Sequence, residues 1–116
     1  KRTLVVDQTR MVKNMPPSAT LYSLGVVRIN IDGVHADITP TGYVWLGNSN
    51  FGTVSFEWRE GTTGPYTNET PPRTVTSDGS FSDTFELTRG LLYYIRVKGI
   101  CNGQTIYSNP MGFIIN

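Results

Sequence analysis

The chain has very little of the chemistry that metal sites and thiol enzymes need, because its 116 residues include one cysteine and one histidine. The cysteine, Cys101, cannot form a disulfide within the chain, so the fold must be stabilised by packing. The histidine, His35, has no second histidine or nearby cysteine with which to build a metal cluster or a Cys-His pair. We therefore expect no metal, no cofactor and a surface role for His35.

Long apolar runs and an excess of one charge are also missing. No run approaches the roughly 20 apolar residues that span a bilayer, and the beginning of the chain lacks the apolar core of a signal peptide. We therefore expect no direct membrane insertion. Ten Lys and Arg against nine Asp and Glu leave a net charge of +1, which argues against a nucleic-acid partner held through its phosphates.

Turn-forming residues are abundant instead, with 12 glycines and 7 prolines spread along the chain. Residues 1–15 hold one short apolar run, "TLVV", and several basic residues, and they end at the pair Pro16-Pro17. Because such a pair often marks a domain edge, we expect an N-terminal arm or linker over 1–15 and a single domain over 16–116. The chain begins with Lys1 and not with methionine, so we also expect it to be part of a larger protein.

Short alternating segments between turns predict strands and no helices. In "TVSFEWR", for example, Val54, Phe56 and Trp58 face one way and Ser55 and Glu57 the other. Asn102-Gly103 is a preferred two-residue hairpin turn. Seven strands are predicted, at 19–31 with a break near Gly25, 34–44, 53–59, 73–76, 80–87, 92–100 and 104–116. In the second strand we expect Val34, Ala36 and Ile38 to share one face and Pro40 to limit the strand. This spacing is typical of an antiparallel β-sandwich.

One segment carries a more specific signal. "LTRGLLYYIRV" resembles the pattern that leads into the sixth strand of fibronectin type III domains, with Leu87, Gly90, Tyr93, Arg96 and Val97 at matching positions. The segments "VSFEWREGTTGPY" and "TIYSNPMGFII" are also similar to strands of microbial cell-surface members, so the resemblance covers 16–116. It implies an all-β, seven-stranded, immunoglobulin-like sandwich. It further implies that the Tyr93 hydroxyl bonds back to the backbone near the preceding turn.

Alternation assigns the two faces of the strand predicted at 92–100 independently of the resemblance. Tyr93, Ile95 and Val97 point inward, whereas Tyr94, Arg96 and Lys98 point outward. Glu57 points outward on the strand expected to lie alongside. We therefore predict an exposed, structural Glu57–Arg96 pair worth about 0.2–1 kcal/mol.

The functional expectation is a non-catalytic spacer or adhesion module of a cell-surface or secreted protein, in contact with neighbouring domains and, where its loops allow, with a protein or glycan. Paired acids such as Glu57 with Glu60, or Asp83 with Glu86, are interpreted as solvated faces, not as a glycosidase pair. The alternative is a carbohydrate-binding accessory module using Tyr43, Trp45 and Phe51, whose flat rings could stack on a sugar.

The sequence leaves two interpretations open for each of Tyr43, Trp45 and Cys101. Tyr43 and Trp45 could instead fill the end of the core, where Trp58 is the more secure core residue. Cys101 could be exposed near the hairpin tip and cross-link partners, or it could be buried and unreactive.

Overall fold

The computed structural model describes residues 15–116 of the chain, and this part of the protein is all β. No helix occurs among the described residues, as the turn-rich sequence predicted. The described residues form ten strands: β1 Ser18–Ile29, β2 His35–Trp45, β3 Gly52–Glu60, β4 Asn68–Glu69, β5 Arg73–Val75, β6 Gly79–Ser82, β7 Phe85–Thr88, β8 Leu92–Cys101, β9 Gln104–Tyr107 and β10 Met111–Ile114.

The strands form two sheets in which every pairing is antiparallel. In the first sheet β2 lies between β1 on one side and β6 with β7 on the other. In the second sheet β3 and β8 pair along their whole length, from Gly52↔Cys101 to Glu60↔Tyr93. The far side of β3 carries β4 and β5, and the far side of β8 carries β9 and β10. The strand predicted at 73–76 is present as β5, at an edge of the second sheet.

The strand count differs from the predicted seven because two of the predicted strands are each interrupted and β4 is additional. The strand predicted at 80–87 stops at Asp83 and Thr84, whose side chains bind Arg73 and Thr39. The strand predicted at 104–116 is interrupted around Ser108, which hydrogen-bonds to the backbone of Val97 in β8 through both its N–H and its side chain. Its N–H donates to the carbonyl of Val97 at 2.9 Å, and its hydroxyl accepts from the Val97 N–H at 2.8 Å.

The break predicted near Gly25 is present, but the limit predicted at Pro40 is wrong. Gly25 has φ +69°, and the register of β1 against β2 shifts between Gly25 and Val26. Pro40 lies inside β2 with its side chain buried. A proline without an N–H is tolerated in a central strand only where pairing is already irregular. Here β1 bulges on one side of Pro40, and the gap between β6 and β7 lies on the other.

The core lies between the two sheets and follows the period of two along each strand. In β2 the residues from Ala36 to Val44 alternate between buried and half-buried, and in β8 Tyr93, Ile95 and Val97 are buried as predicted. Rings contact each other across the sheets, with 5.0 Å between the centroids of Phe56 and Phe81. Complete burial of a side chain of this size stabilises the fold by about 1.5–3 kcal/mol.

Two residues expected in the core lie closer to solvent. Val34 precedes β2 in the turn after β1 and is 52% exposed, so the expectation that it shares the face of Ala36 and Ile38 is wrong. A strand's alternation holds only where the strand has begun, and β2 begins one residue later. Trp58 is half-buried against the core and stacks on Phe85, with 4.0 Å between ring centroids.

The described segment begins and ends at opposite ends of the sandwich. The Met15 carbonyl accepts from the Asn48 N–H at 3.2 Å, just beyond the end of β2. The Ile115 carbonyl accepts from the Gly90 N–H at 2.7 Å, beside the turn that precedes β8. β2 runs between these ends, and its 11 residues correspond to a separation of roughly 33 Å. Of the arm predicted over 1–15, all but Met15 lies outside the described residues.

Candidate interaction surfaces

Three of the residues that carry the sequence resemblance, Leu87, Gly90 and Tyr93, lie at a hydrogen-bonded corner at one end of the sandwich. The Thr88 N–H donates to the hydroxyl of Tyr93 at 3.0 Å, which is the bond expected of a corner tyrosine. Leu87 is 3% exposed and packs in the core. Gly90 makes the turn with φ +84°, a conformation that glycine adopts without steric cost.

Arg89 ties this corner to the turn between β1 and β2. Its backbone N–H donates to the Val34 carbonyl at 2.9 Å, and its guanidinium Nη1 donates to the Gly33 carbonyl at 2.8 Å. The arginine therefore joins two turns that are more than 50 residues apart in sequence.

The predicted pair on the second sheet is present, but it is not exposed. Glu57 and Arg96 are opposite each other in the register, and Nε of Arg96 donates to Oε1 of Glu57 at 3.0 Å. Glu57 is only 7% exposed, so the expectation of a solvated acid is wrong. The reason is coverage by long neighbouring side chains, including Lys98, whose Nζ lies 3.7 Å from Oε2 of Glu57. Such side chains cover a polar face with their alkyl stems while their charged ends stay near water.

Tyrosine rings complete this coverage. The guanidinium of Arg96 lies between the rings of Tyr66 and Tyr107, at 3.9 Å and 3.8 Å from their centroids. Arg59 lies between Tyr66 and Tyr94, at 4.9 Å and 5.2 Å. Contacts of this kind contribute about 0.5–1 kcal/mol at exposed sites.

This alternating stack holds the connection that contains Tyr66 against the outer face of the second sheet. The Nη1 of Arg59 also donates to the Gly64 carbonyl at 2.8 Å. Alternation predicted that Tyr94 and Arg96 point outward, but no local signal placed Tyr66 above them. The arginines of this face are thus engaged in stacking and ion pairing within the chain.

Tyr43 and Trp45 lie on the outer face of the first sheet. Residues of β2 alternate, and the buried set includes Val44 between them, so both rings point away from the core. Their centroids are 4.4 Å apart with 43° between the ring planes, and Trp45 is 41% exposed. The interpretation that they fill the end of the core is therefore wrong.

Beside Trp45 the surface forms a shallow cleft of about 340 Å³ at the end where the described chain begins. Phe51 is 58% exposed and is not among the residues that line this cleft. The structure therefore does not join Phe51 to the other two rings in one site. The lining consists of Met15, Pro16, Ser18, Trp45, Gly47 and Asp78.

The walls of the cleft are held by backbone contacts. The Leu46 N–H donates to Oδ1 of Asp78 at 2.8 Å. Gly47 has φ +65°, and a Cβ there would lie 2.4 Å from the Met15 carbonyl oxygen, so the chain can pass this closely only with glycine. No local sequence signal indicates this role of Asp78, because its partner Leu46 is 32 residues away.

His35 lies at the surface, where it pairs with an acid of the preceding turn. Its Nδ1 is 2.7 Å from Oδ2 of Asp32. The side-chain hydrogen bond from His35, together with the backbone N–H groups of His35 and Val34, lowers the pKa of Asp32 to about 2. The same hydrogen bond raises the pKa of His35. The pair fixes the turn between β1 and β2.

Cys101 is fully buried, and burial raises the pKa of its thiol. The interpretation of Cys101 as an exposed cross-linking thiol is therefore wrong. Within residues 15–116, no cluster of three or more His, Cys, Asp or Glu side chains is arranged to hold a metal ion.

Neither a family model nor a curated protein matches this chain. In the part of the chain that the structure describes, no helix has the length and apolar character needed to cross a membrane.

Proposed function

We propose that the protein is a fibronectin type III-like module with a non-catalytic, structural role in a cell-surface or secreted protein. Two observations support the family. If β4 with β5, β6 with β7, and β9 with β10 are each counted as one interrupted strand, the sheets have three and four strand positions, seven in all. The Tyr93 hydroxyl also accepts the Thr88 N–H at the turn before β8, as in a tyrosine corner.

The observation that carries the spacer role is the placement of the two ends of the described segment. Met15 and Ile115 are bound at opposite ends of the sandwich, roughly 33 Å apart along β2. Neighbouring domains attached at these points would be held apart by the length of the packed core. A rigid body between two attachment points is what a spacer or adhesion stalk requires, and its exposed loops and faces supply the contacts.

Three of the four acids considered as catalytic pairs have structural partners, which supports a non-catalytic role. Glu57 is paired with Arg96, and Asp83 is paired with Arg73. Glu86 accepts from the amide of Asn30 at 2.8 Å. These carboxylates stabilise local structure, and none of them lines the cleft beside Trp45.

Force spectroscopy tests the spacer role directly. The 116-residue chain is placed between two handle domains and pulled from its ends. A spacer is expected to resist force and then unfold in a single step. That step should lengthen the chain by roughly 300–330 Å. This is about 3.3–3.6 Å for each of the 102 described residues, less the initial separation of roughly 33 Å.

Gradual extension without a resisting step, or unfolding in several small steps, would contradict a load-bearing sandwich.

Antibody labelling of intact cells that express the parent protein tests the proposed location separately. Labelling only after permeabilisation would contradict a cell-surface role.

A further inference from the structure

We infer that the cleft beside Trp45 is a carbohydrate-binding site that takes a pyranose unit of a neutral glycan. This inference goes beyond the spacer role and does not depend on it. It uses Trp45, Asp78 and Ser18, which the fold brings together from β2, from the turn before β6 and from the start of β1.

Trp45 supplies the apolar surface of the site. A pyranose ring has one face made largely of C–H groups, and an indole ring is the flat apolar partner that can cover it. Trp45 is exposed enough to be reached, and the ring of Tyr43 at 4.4 Å supports it from one side. The rotamer of Trp45 is therefore constrained before any ligand binds.

Asp78 and Ser18 supply the polar part. A carboxylate has about four acceptor positions, and the N–H of Leu46 takes one of those of Asp78. The remaining positions can accept hydrogen bonds from sugar hydroxyls, while the hydroxyl of Ser18 can donate or accept. Apolar surface with a few placed polar groups is typical of small-ligand sites, and about 340 Å³ lies at the lower end of their usual range of roughly 300–1,000 Å³.

The site is built on rigid parts of the fold. Ser18 and Trp45 are partners in the register of β1 and β2. Asp78 is tied to the Leu46 N–H, and the Met15 carbonyl is tied to the Asn48 N–H at 3.2 Å. Little ordering cost remains to be met when a ligand binds.

A neutral sugar fits this cleft better than an organic cation. Cages for quaternary ammonium groups surround the cation with several aromatic faces, whereas Trp45 is the sole aromatic among the described residues that line this cleft. One flat wall with hydroxyl and carboxylate groups beside it suits a flat, hydroxyl-bearing ring.

The test uses the 116-residue chain labelled with 5-fluorotryptophan, which has one reporter in the cleft and a second, Trp58, as an internal reference. Cellotriose, xylotriose, chitotriose and mannotriose are each titrated to about 10 mM, and ¹⁹F NMR follows both signals. At least one trisaccharide is expected to shift the Trp45 signal and leave the Trp58 signal in place. The dissociation constant for that sugar is then measured by calorimetry.

Three variants then locate the binding site. Trp45→Ala should weaken binding about 10-fold or more, as loss of a central aromatic contact does. Asp78→Asn keeps an oxygen for the Leu46 N–H but removes the charge, and should weaken binding roughly 2- to 10-fold. The control Phe51→Ala changes an exposed aromatic outside the cleft and should leave affinity unchanged. If Trp45→Ala does not fold by circular dichroism, Asp78→Asn alone decides the outcome.

Several results would overturn the inference. They are the absence of a Trp45 shift with all four sugars, unchanged affinity in the cleft variants, and a loss of affinity in Phe51→Ala equal to that in Trp45→Ala. If tetramethylammonium shifts Trp45 and the sugars do not, the cleft is a cation site instead.

Discussion

Replacing Tyr93 with phenylalanine removes one oxygen and leaves the ring in the core. In the folded protein this oxygen accepts the Thr88 N–H at 3.0 Å, and Tyr93 is 7% exposed. A hydrogen bond of this type contributes about 0.5–1.5 kcal/mol, and a donor left without a partner in a part-buried site costs about 1–3 kcal/mol. Because Thr88 is half-buried and water can reach it in part, we expect a loss of about 1–2 kcal/mol.

The loss is measured by urea denaturation of Tyr93→Phe and the parent chain. With a denaturant slope of about 1–1.5 kcal/mol per molar, the midpoint should fall by roughly 1 M. Tyr94→Phe is the matched control, because it removes a hydroxyl from the adjacent, outward-facing tyrosine and should change stability by less than about 0.5 kcal/mol. If both variants match the parent within about 0.3 kcal/mol, the corner bond does not stabilise the fold, and the main structural support for the family proposal is lost.

Three further outcomes follow from the structure. Gly47→Ala should destabilise the fold by about 1–3 kcal/mol, since Gly47 has φ +65° and a Cβ there would lie 2.4 Å from the Met15 carbonyl oxygen. Gly79→Ala is the control, because a Cβ there meets nothing within 4 Å. An equal loss of stability in the two variants would refute the close approach at Gly47. The raised pKa of His35 makes its stabilising effect complete below its ordinary pKa of 6.5 and lost as the pH rises through the folded-state pKa. The lowered pKa of Asp32 makes its effect complete above 3.8 and lost as the pH falls through about 2. Urea midpoints should therefore decline above pH 6.5, and a His35→Gln variant with the same decline would show that another group causes it. Cys101 should react with iodoacetamide in urea but not in native buffer, and rapid modification of the folded protein would contradict its burial.

Much of the fold follows from local patterns. The period of two assigned the faces of β3 and β8 correctly, and Asn102 and Gly103 have φ of 54° and 78° at the predicted hairpin turn. The pairing of Glu57 with Arg96 also followed from register and alternation. These features depend on neighbours along the strand or directly across it, which are short-range properties that a sequence pattern contains.

The outcomes that sequence reasoning missed depend on what lies above a strand or beside its end. Glu57 is buried because Lys98 and the stacked Arg96 cover it, and Pro40 is tolerated because two neighbouring strands are irregular at the same level. Alternation states which way a side chain points, but not how much of it other segments cover.

The candidate site also combines features that local patterns predict with features that need the tertiary fold. The sequence alone predicts antiparallel strands, an inward Tyr93 and an aromatic segment around Trp45. Tertiary contacts turn Trp45 outward, leave Phe51 outside the cleft and place Asp78 beside Trp45. The physical reason is that β6 pairs with β2, with Val44 opposite Gly79, and this pairing brings Asp78 to the Leu46 N–H, 32 residues away. Pairing between strands so far apart in sequence is a non-local contact that a local pattern does not contain.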